Sequence, residues 1–375
     1  MLRQVWALMV AGGLVWRRVA DWDGRMLIAA DLIWQGGALR RGMAVETDGA
    51  RITGLRDGAT DTPDARVHLL MPACVDLQVN GGGGVMLNDD PSADAMRAIR
   101  DAHARLGTGA VMPVLISDTP DAVDAAAEAA IAVQGEPALL GLHIEGPHLN
   151  PARQGTHDAS LFRPLDGRTM TALARLRGAG VPVILTLAPE LNDPALIAQA
   201  AAMGVVVSAG HSDATVDQAR DGLAAGVSMF THLFNAMPQM ASRQPGIIAA
   251  AILSDAWCGM IADGIHVSWD MLRIAIAARP RPDRCFLVSD AMATVGGPDH
   301  FTLYGQEIHL REGRLVNAAG ALAGAHIDML TSMANLHRQA DVPLDRAIAM
   351  ATDLPRAAIG LPPLRIAPGT ALRDV

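Results

Sequence analysis

A chain of 375 residues is too long for one small core and suits a barrel of about 250 residues with a smaller attached domain. Half of its residues are apolar, 18% are charged and the net charge is −9, which excludes a disordered chain and a broad basic surface for nucleic acid. All 30 basic residues are arginine, so Schiff-base chemistry, the phosphate-loop lysine and a carbamylated-lysine metal bridge are excluded as well.

The chain opens on an apolar run, Val5 to Val15, with Arg3 before it and Arg17 and Arg18 after it. The run is too short to span a bilayer and lacks a small-x-small cleavage site, so residues 1–26 are expected as a leader, disordered or preceding a natural start near Met26. From Leu27 to Met71, β-rich pieces broken by Gly and Asp-Gly predict a small β domain over residues 27–72. From Ala73 onward the pattern changes to short apolar strands at 74–78, 110–116, 139–144, 183–187, 205–209, 228–233, 258–262 and 285–289. Between them run Ala-rich amphipathic helices, clearest at 93–106, 122–133, 195–203, 216–225 and 271–278, and a hairpin at 301–316 interrupts the last unit. Eight alternations predict an α/β protein whose main domain, residues 73–360, is a closed parallel (β/α)8 barrel rather than an open doubly wound sheet. Cys74, Cys258 and Cys285 lie far apart in apolar stretches, which predicts buried reduced thiols in a cytoplasmic protein rather than a disulfide framework.

On a parallel barrel the chemistry gathers at the C-terminal strand ends. Polar residues stand there: Gln78 and Asn80, His143 and Glu145, His211, His232, Asp263 and His266, and Asp290. Glu145, His211 and His232, from three different strand ends, form a set suited to a catalytic zinc with one open position. Taken singly, His211 could cap a helix and His232 could be a satisfied core histidine. Asp290 closes the buried run FLVSD, where a carboxylate can take a proton from an activated water and return it to a leaving amine; a helix cap or an arginine partner is the plainer alternative. His157 and His266 stand in loops after strand ends, where a surface histidine is the plain reading.

The runs PACVDLQVNGGGG, GLHIEGPHLNPARQGTHD, AGHSDAT, THLFNAMPQMASRQPG, IADGIHV, LVSDAMATVGG and GALAG resemble, in order, the signature segments of the N-acetylglucosamine-6-phosphate deacetylases of the amidohydrolase superfamily. The resemblance implies a distorted (β/α)8 barrel with a small β-sandwich, a homodimer, and hydrolysis of the acetamide of N-acetylglucosamine 6-phosphate to acetate and glucosamine 6-phosphate. Position by position it implies Glu145, His211 and His232 as metal ligands and Asp290 as acid/base. It further implies His157 and His266 as substrate contacts, with Asn235, the Ala236 backbone and Arg243 binding phosphate and Arg243 reaching the neighbouring subunit's site. Where many superfamily members carry His-x-His, this chain has Gln78-x-Asn80, as in the single-metal branch; amides are poor zinc ligands, so one divalent ion per chain is expected, with Gln78 and Asn80 on the substrate side. In that reading His157 helps to hold the developing oxyanion.

Three departures stand out. Pro72-Ala73 replaces the usual Pro-Gly before the first barrel strand. His148 takes a place usually apolar or aromatic, and is expected to face solvent, with ligand contact as the alternative. The chain stops at RIAPGTALRDV where relatives continue, so residues 361–375 are expected as a remnant of a truncated β-sandwich with an unpaired edge. Two other functions fit the same residues: a deacetylase of another N-acetylhexosamine 6-phosphate such as N-acetylgalactosamine 6-phosphate, and a truncated, non-catalytic paralogue. The partner expected is a small sugar phosphate, with neither nucleic acid nor membrane.

Overall fold

The computed structural model describes residues 5–10, 14–18, 24–57, 62–318 and 320–370. Six strands build the small domain: β1 (Val5–Val10), β2 (Leu14–Arg18), β3 (Met26–Gln35), β4 (Ala38–Thr47), β5 (Ile52–Asp57) and β6 (Ala65–Pro72). They form one sheet in the order β2-β1-β6-β3-β4-β5, antiparallel except for the parallel β3–β6 pair. Within the expected leader, then, β1 and β2 belong to the sheet, and the other residues up to 23 lie outside the described residues.

The buried residues of this sheet divide between two cores. Ile28, Ala30, Ile33, Met43, Val45, Ile52, Val67 and Leu70 pack together with Ile366 from the chain's last described segment, whose Gly369 and Thr370 exchange backbone hydrogen bonds with Ile52. Trp34, Leu69 and Met71 face the other way, into the barrel's core, and the Trp34 indole N–H donates to Asp353 Oδ2 at 3.0 Å. Residues 371–375, the end of the expected remnant, lie outside the described residues.

The barrel strands are β7 (Cys74–Val79), β10 (Thr108–Ile116), β11 (Leu142–Glu145), β12 (Val183–Leu187), β13 (Val206–Ala209), β14 (Val227–Phe230), β15 (Trp257–Met260) and β16 (Cys285–Leu287); β8 (Gly81–Gly82) and β9 (Val85–Met86) form a small ribbon after the first. All eight run parallel in sequence order from β7 to β16. The closing seam is irregular: β16 ends at Leu287, and contact with β7 passes to a single bridge between Val79 and Ala291 and to the Asp290 N–H on Gln78 O, at 3.0 Å. The eighth strand is thus shorter than its sequence predicts, because Asp290 takes a left-handed backbone (φ 54°) there. The third strand is shorter too, since Gly141 at φ 148° sits against Pro182 and sets off Leu139–Leu140 from the ladder.

Helices α1 (Ala93–Ala104), α2 (Pro120–Ala132), α3 (Gly167–Gly178), α4 (Pro194–Ala202), α5 (Val216–Ala225), α6 (Gly246–Leu253), α7 (Trp269–Ala278), α8 (Met329–Gln339), α9 (Leu344–Ala351) and α10 (Asp353–Ala358) surround the barrel. Most begin on a side-chain cap that satisfies free N–H groups, including Ser92, Thr119, Asp166 and the reciprocal Thr215–Gln218 pair. In place of a two-stranded hairpin, residues 300–316 form a three-stranded meander, β17 (His300–Leu303), β18 (Gln306–Arg311) and β19 (Arg314–Val316). Its apolar face, Phe301, Leu303, Ile308 and Leu315, packs on Met86, Ile116 and Met292 beside the barrel mouth. The three cysteines are buried and unpaired. No helix among the described residues is long and apolar enough to cross a membrane.

Candidate active site

Glu145 ends β11, while His211 and His232 stand just beyond β13 and β14, on a left-handed backbone (φ 48° and 25°) that turns both rings inward. Glu145 Oε1 lies 3.2 Å from His211 Nε2 and 3.0 Å from His232 Nε2, and the two nitrogens are 3.1 Å apart. His211 Nδ1 is 2.9 Å from the Arg153 carbonyl, an acceptor only; its proton therefore sits on Nδ1, and the Nε2 lone pair of the neutral ring faces the cluster. The His211 lone pair and the His232 Nε2 meet at a buried carboxylate oxygen, a grouping of three ligand atoms that can hold a cation between them. The donor set of two imidazoles and a carboxylate fits a divalent ion such as zinc. Burial alone would push the Glu145 carboxyl up, yet the two imidazoles beside it hold it well below the usual carboxylate range. Burial likewise works against a charged His232, but Glu145 draws that ring up to about 8.

Asp290 faces this cluster across the seam. Its Oδ1 accepts from Asn80 Nδ2 at 2.8 Å and Gln78 Nε2 at 3.2 Å, and Gln78 Nε2 also reaches Glu145 Oε2 at 3.1 Å. Gln78 thus spends its N–H groups on the two carboxylates, and Asn80 spends its own on the Asp290 carboxylate and carbonyl. Burial, with Glu145 nearby, raises the Asp290 carboxyl above its ordinary value, although His232 and the Asn80 hydrogen bond pull the other way.

One cavity of about 190 Å³ gathers most of the residues singled out in the sequence: Glu145, His211, His232, Asp290, His157, His266, Asn80, Asn235 and Ala236 all line it. Gln78 is buried behind the two carboxylates. His266 is aimed by Asp263, whose Oδ2 sits 2.6 Å from Nδ1 while Oδ1 accepts the backbone N–H groups of Ile265 and His266. Positive φ at Phe234 and Ala236 turns the segment after His232 along the wall, and Asn235 Nδ2 donates back to the His232 carbonyl at 3.1 Å. Gly155 (φ 59°) passes so near His211 that a Cβ would stand 3.1 Å from Cε1. Non-glycine residues with left-handed backbone are uncommon, and four of those in this chain, His211, His232, Ala236 and Asp290, line this one cavity. Arg243 is apart from them: it is exposed and does not line the cavity, and among the described residues no arginine does.

Two histidines occupy other positions. His148 does not face solvent: it is buried, with Nδ1 3.0 Å from the Arg163 carbonyl and Nε2 3.2 Å from Thr169 Oγ1, so it ties the loop after β11 to the start of α3 and touches no ligand space. His143 lies under the site, held by the Leu77 carbonyl at 3.1 Å and Thr186 Oγ1 at 2.8 Å, and burial lowers it to about 4.

Several supporting residues escaped the sequence reading. Glu190 accepts from Asn150 Nδ2 (2.9 Å), Ser212 Oγ (2.7 Å) and the Asp213 N–H (2.7 Å), fastening the loops on either side of His211. Ser117 meets His157 from behind. The rule that selected the histidines, a polar side chain just past a barrel strand, selects both of these too. Asp76 is subtler: within β7 it accepts from the Gln78 and Ser289 N–H groups at 3.1 and 3.2 Å and so stitches the seam, while its buried Oδ2 has no partner. Burial raises its carboxyl from 3.8 to about 7. A carboxyl raised by folding favours the native state fully below its unfolded value, and that contribution is lost as pH rises through the folded one. Asp76→Asn, which mimics the neutral acid, should therefore gain stability relative to wild type between pH 4 and 8. Thermal unfolding midpoints at the two pH values check this, and an unchanged difference contradicts it.

The sequence profile of the amidohydrolase family matches residues 69–370. The chain is 35% identical over 353 residues to an N-acetylgalactosamine-6-phosphate deacetylase of Shewanella sp. (strain ANA-3), covering 90% of this chain and 88% of that one. It is 32% identical over 310 residues to an N-acetylglucosamine-6-phosphate deacetylase of Haemophilus influenzae, covering 80% and 79%. Among solved structures it superposes, with a TM-score of 0.84 and 30% identity over 93% of each chain, on a mutant N-acetyl-D-glucosamine-6-phosphate deacetylase of Mycobacterium smegmatis in complex with N-acetyl-D-glucosamine-6-phosphate.

Proposed function

The chain belongs to the amidohydrolase family, and from that membership we propose that it hydrolyses the acetamide of N-acetylglucosamine 6-phosphate to glucosamine 6-phosphate and acetate. The observation that carries the reading is the placement of Asp290 against the buried Glu145–His211–His232 cluster in one cavity. One zinc ion per chain, held by Glu145, His211 and His232, would supply a Lewis acid for the amide oxygen and make a nearby water more acidic. The chain's own groups do the rest. Asp290, with Oδ1 fixed by Asn80 and Gln78, takes the proton of the attacking water and passes it to the leaving nitrogen. His157 donates to the oxygen on which charge develops. His266, steadied by Asp263, holds the sugar, and Asn235 with the Ala236 backbone meets its phosphate.

The phosphate calls for a guanidinium, and among the described residues no arginine lines the cavity. In the reading proposed here the protein is a cytoplasmic homodimer, and Arg243 of each chain reaches its neighbour's site, where a guanidinium suits a phosphate dianion. Arg243→Ala should then raise KM for the phosphorylated sugar by about 10-fold or more, and far less for its unphosphorylated analogue. Mixing Arg243→Ala with Asp290→Asn chains should recover activity, because one heterodimer site is complete; no recovery despite proven subunit exchange would refute the shared site. Acetate release from the two epimeric N-acetylhexosamine 6-phosphates tests the function itself: turnover of the gluco substrate is expected, preference for the galacto epimer would reassign the substrate, and release from neither would reject the reading.

A further inference from the structure

His157 is held from behind by a residue that the chemistry above does not use. Ser117 directly follows β10, and both its backbone N–H (3.3 Å) and its hydroxyl (2.8 Å) meet His157 Nδ1. A backbone N–H can only donate, so Nδ1 must accept. In the neutral ring the proton then sits on Nε2. Nε2 makes no hydrogen bond among the described residues, and the ring lines the cavity beside His211, centroid to centroid 4.4 Å.

Ser117 is itself clamped. Its carbonyl accepts from the hydroxyl of Tyr304 at 2.6 Å. Tyr304 is the one tyrosine of the chain, carried on a left-handed residue (φ 50°) in the turn between β17 and β18. On its other side the Ser117 hydroxyl presses on Gly146 (φ 81°), where a Cβ would collide with it. The meander β17–β19, packed on Ile116 through Phe301, Leu303 and Ile308, thereby reaches across the barrel mouth to the residue that backs His157.

We propose that Ser117, braced by Tyr304, is a positioning residue that fixes His157 in the Nε2–H tautomer, so that the ring meets the amide oxygen as a neutral hydrogen-bond donor. The opposite tautomer would turn a lone pair toward an oxygen gaining negative charge. The kinetic consequence rests on the hydrolase reading above. The tautomer itself does not.

The test is the ring-nitrogen spectrum of the full-length, zinc-loaded, 15N-labelled protein, with His157→Gln assigning the signals. Wild type should show an unprotonated Nδ1 and a protonated Nε2 for His157. Ser117→Ala keeps the backbone N–H at 3.3 Å but loses the shorter hydroxyl contact at 2.8 Å, so it should admit a detectable share of the opposite tautomer and lower kcat by about 5- to 10-fold with KM little changed, as expected for one lost hydrogen bond. Ser117→Thr, which keeps a hydroxyl, should restore both. Tyr304→Phe, which preserves packing, should lower kcat by about fivefold and shift the same signals, and it decides the matter if Ser117→Ala does not fold. A protonated Nδ1 in wild type would overturn the proposal, as would variants that lose rate while the tautomer stays pure. Because the spectrum is read without substrate, an inactive wild type with Nε2–H in place faults the hydrolase reading alone.

Discussion

Asp290→Asn should lower kcat by about 10² to 10⁴ with metal retained. Asparagine keeps the shape and an oxygen for the Asn80 and Gln78 amides, which hold Asp290 Oδ1 at 2.8 and 3.2 Å. It removes the basic lone pair and the transferable proton. The loss should fall on kcat rather than KM, since the group acts on the proton in flight and not on the bound sugar. Steady-state kinetics with parallel metal analysis measure it. A variant keeping more than about a tenth of the rate would reassign the base, with His266, also in the cavity, the next candidate.

The second large effect concerns the cluster. Glu145→Ala and His211→Ala should each lose most of the bound metal and reduce turnover to near background, because three close ligands leave no spare donor when one is removed. Glu190→Gln should produce a milder version, about 10- to 100-fold in metal affinity, since Glu190 secures the loops around His211 and is not one of the three clustered ligands. Elemental analysis after dialysis separates the two cases. Full metal content in Glu145→Ala would remove that residue from the ligand set.

Much of this was legible in the sequence because the barrel writes its period plainly. Strand-sized apolar runs alternate with Ala-rich helices, and the residues at 183–187 and 216–225 form their elements with the bounds that the pattern predicts. The cluster was legible because rare polar residues follow those runs. What the sequence hid depends on non-local partners. His148 looks like a loop histidine, and only the approach of the Arg163 carbonyl and Thr169 shows it to be buried. The short eighth strand follows from the left-handed turn at Asp290, which strand propensity does not encode. Asp76 reads as one polar residue in an apolar strand, and its task appears only when the seam brings Ser289 to it. The exposed place of Arg243 is likewise invisible in MASRQPG.

The most direct measurement is acetate release from N-acetylglucosamine 6-phosphate by metal-stripped protein titrated with zinc. Glu145, His211 and His232, the one such cluster among the described residues, with the Gln78 and Asn80 amides committed to Glu145 and Asp290, predict activity that rises linearly and saturates at one equivalent per chain. Full activity in the stripped protein, or saturation only at two equivalents, would contradict it.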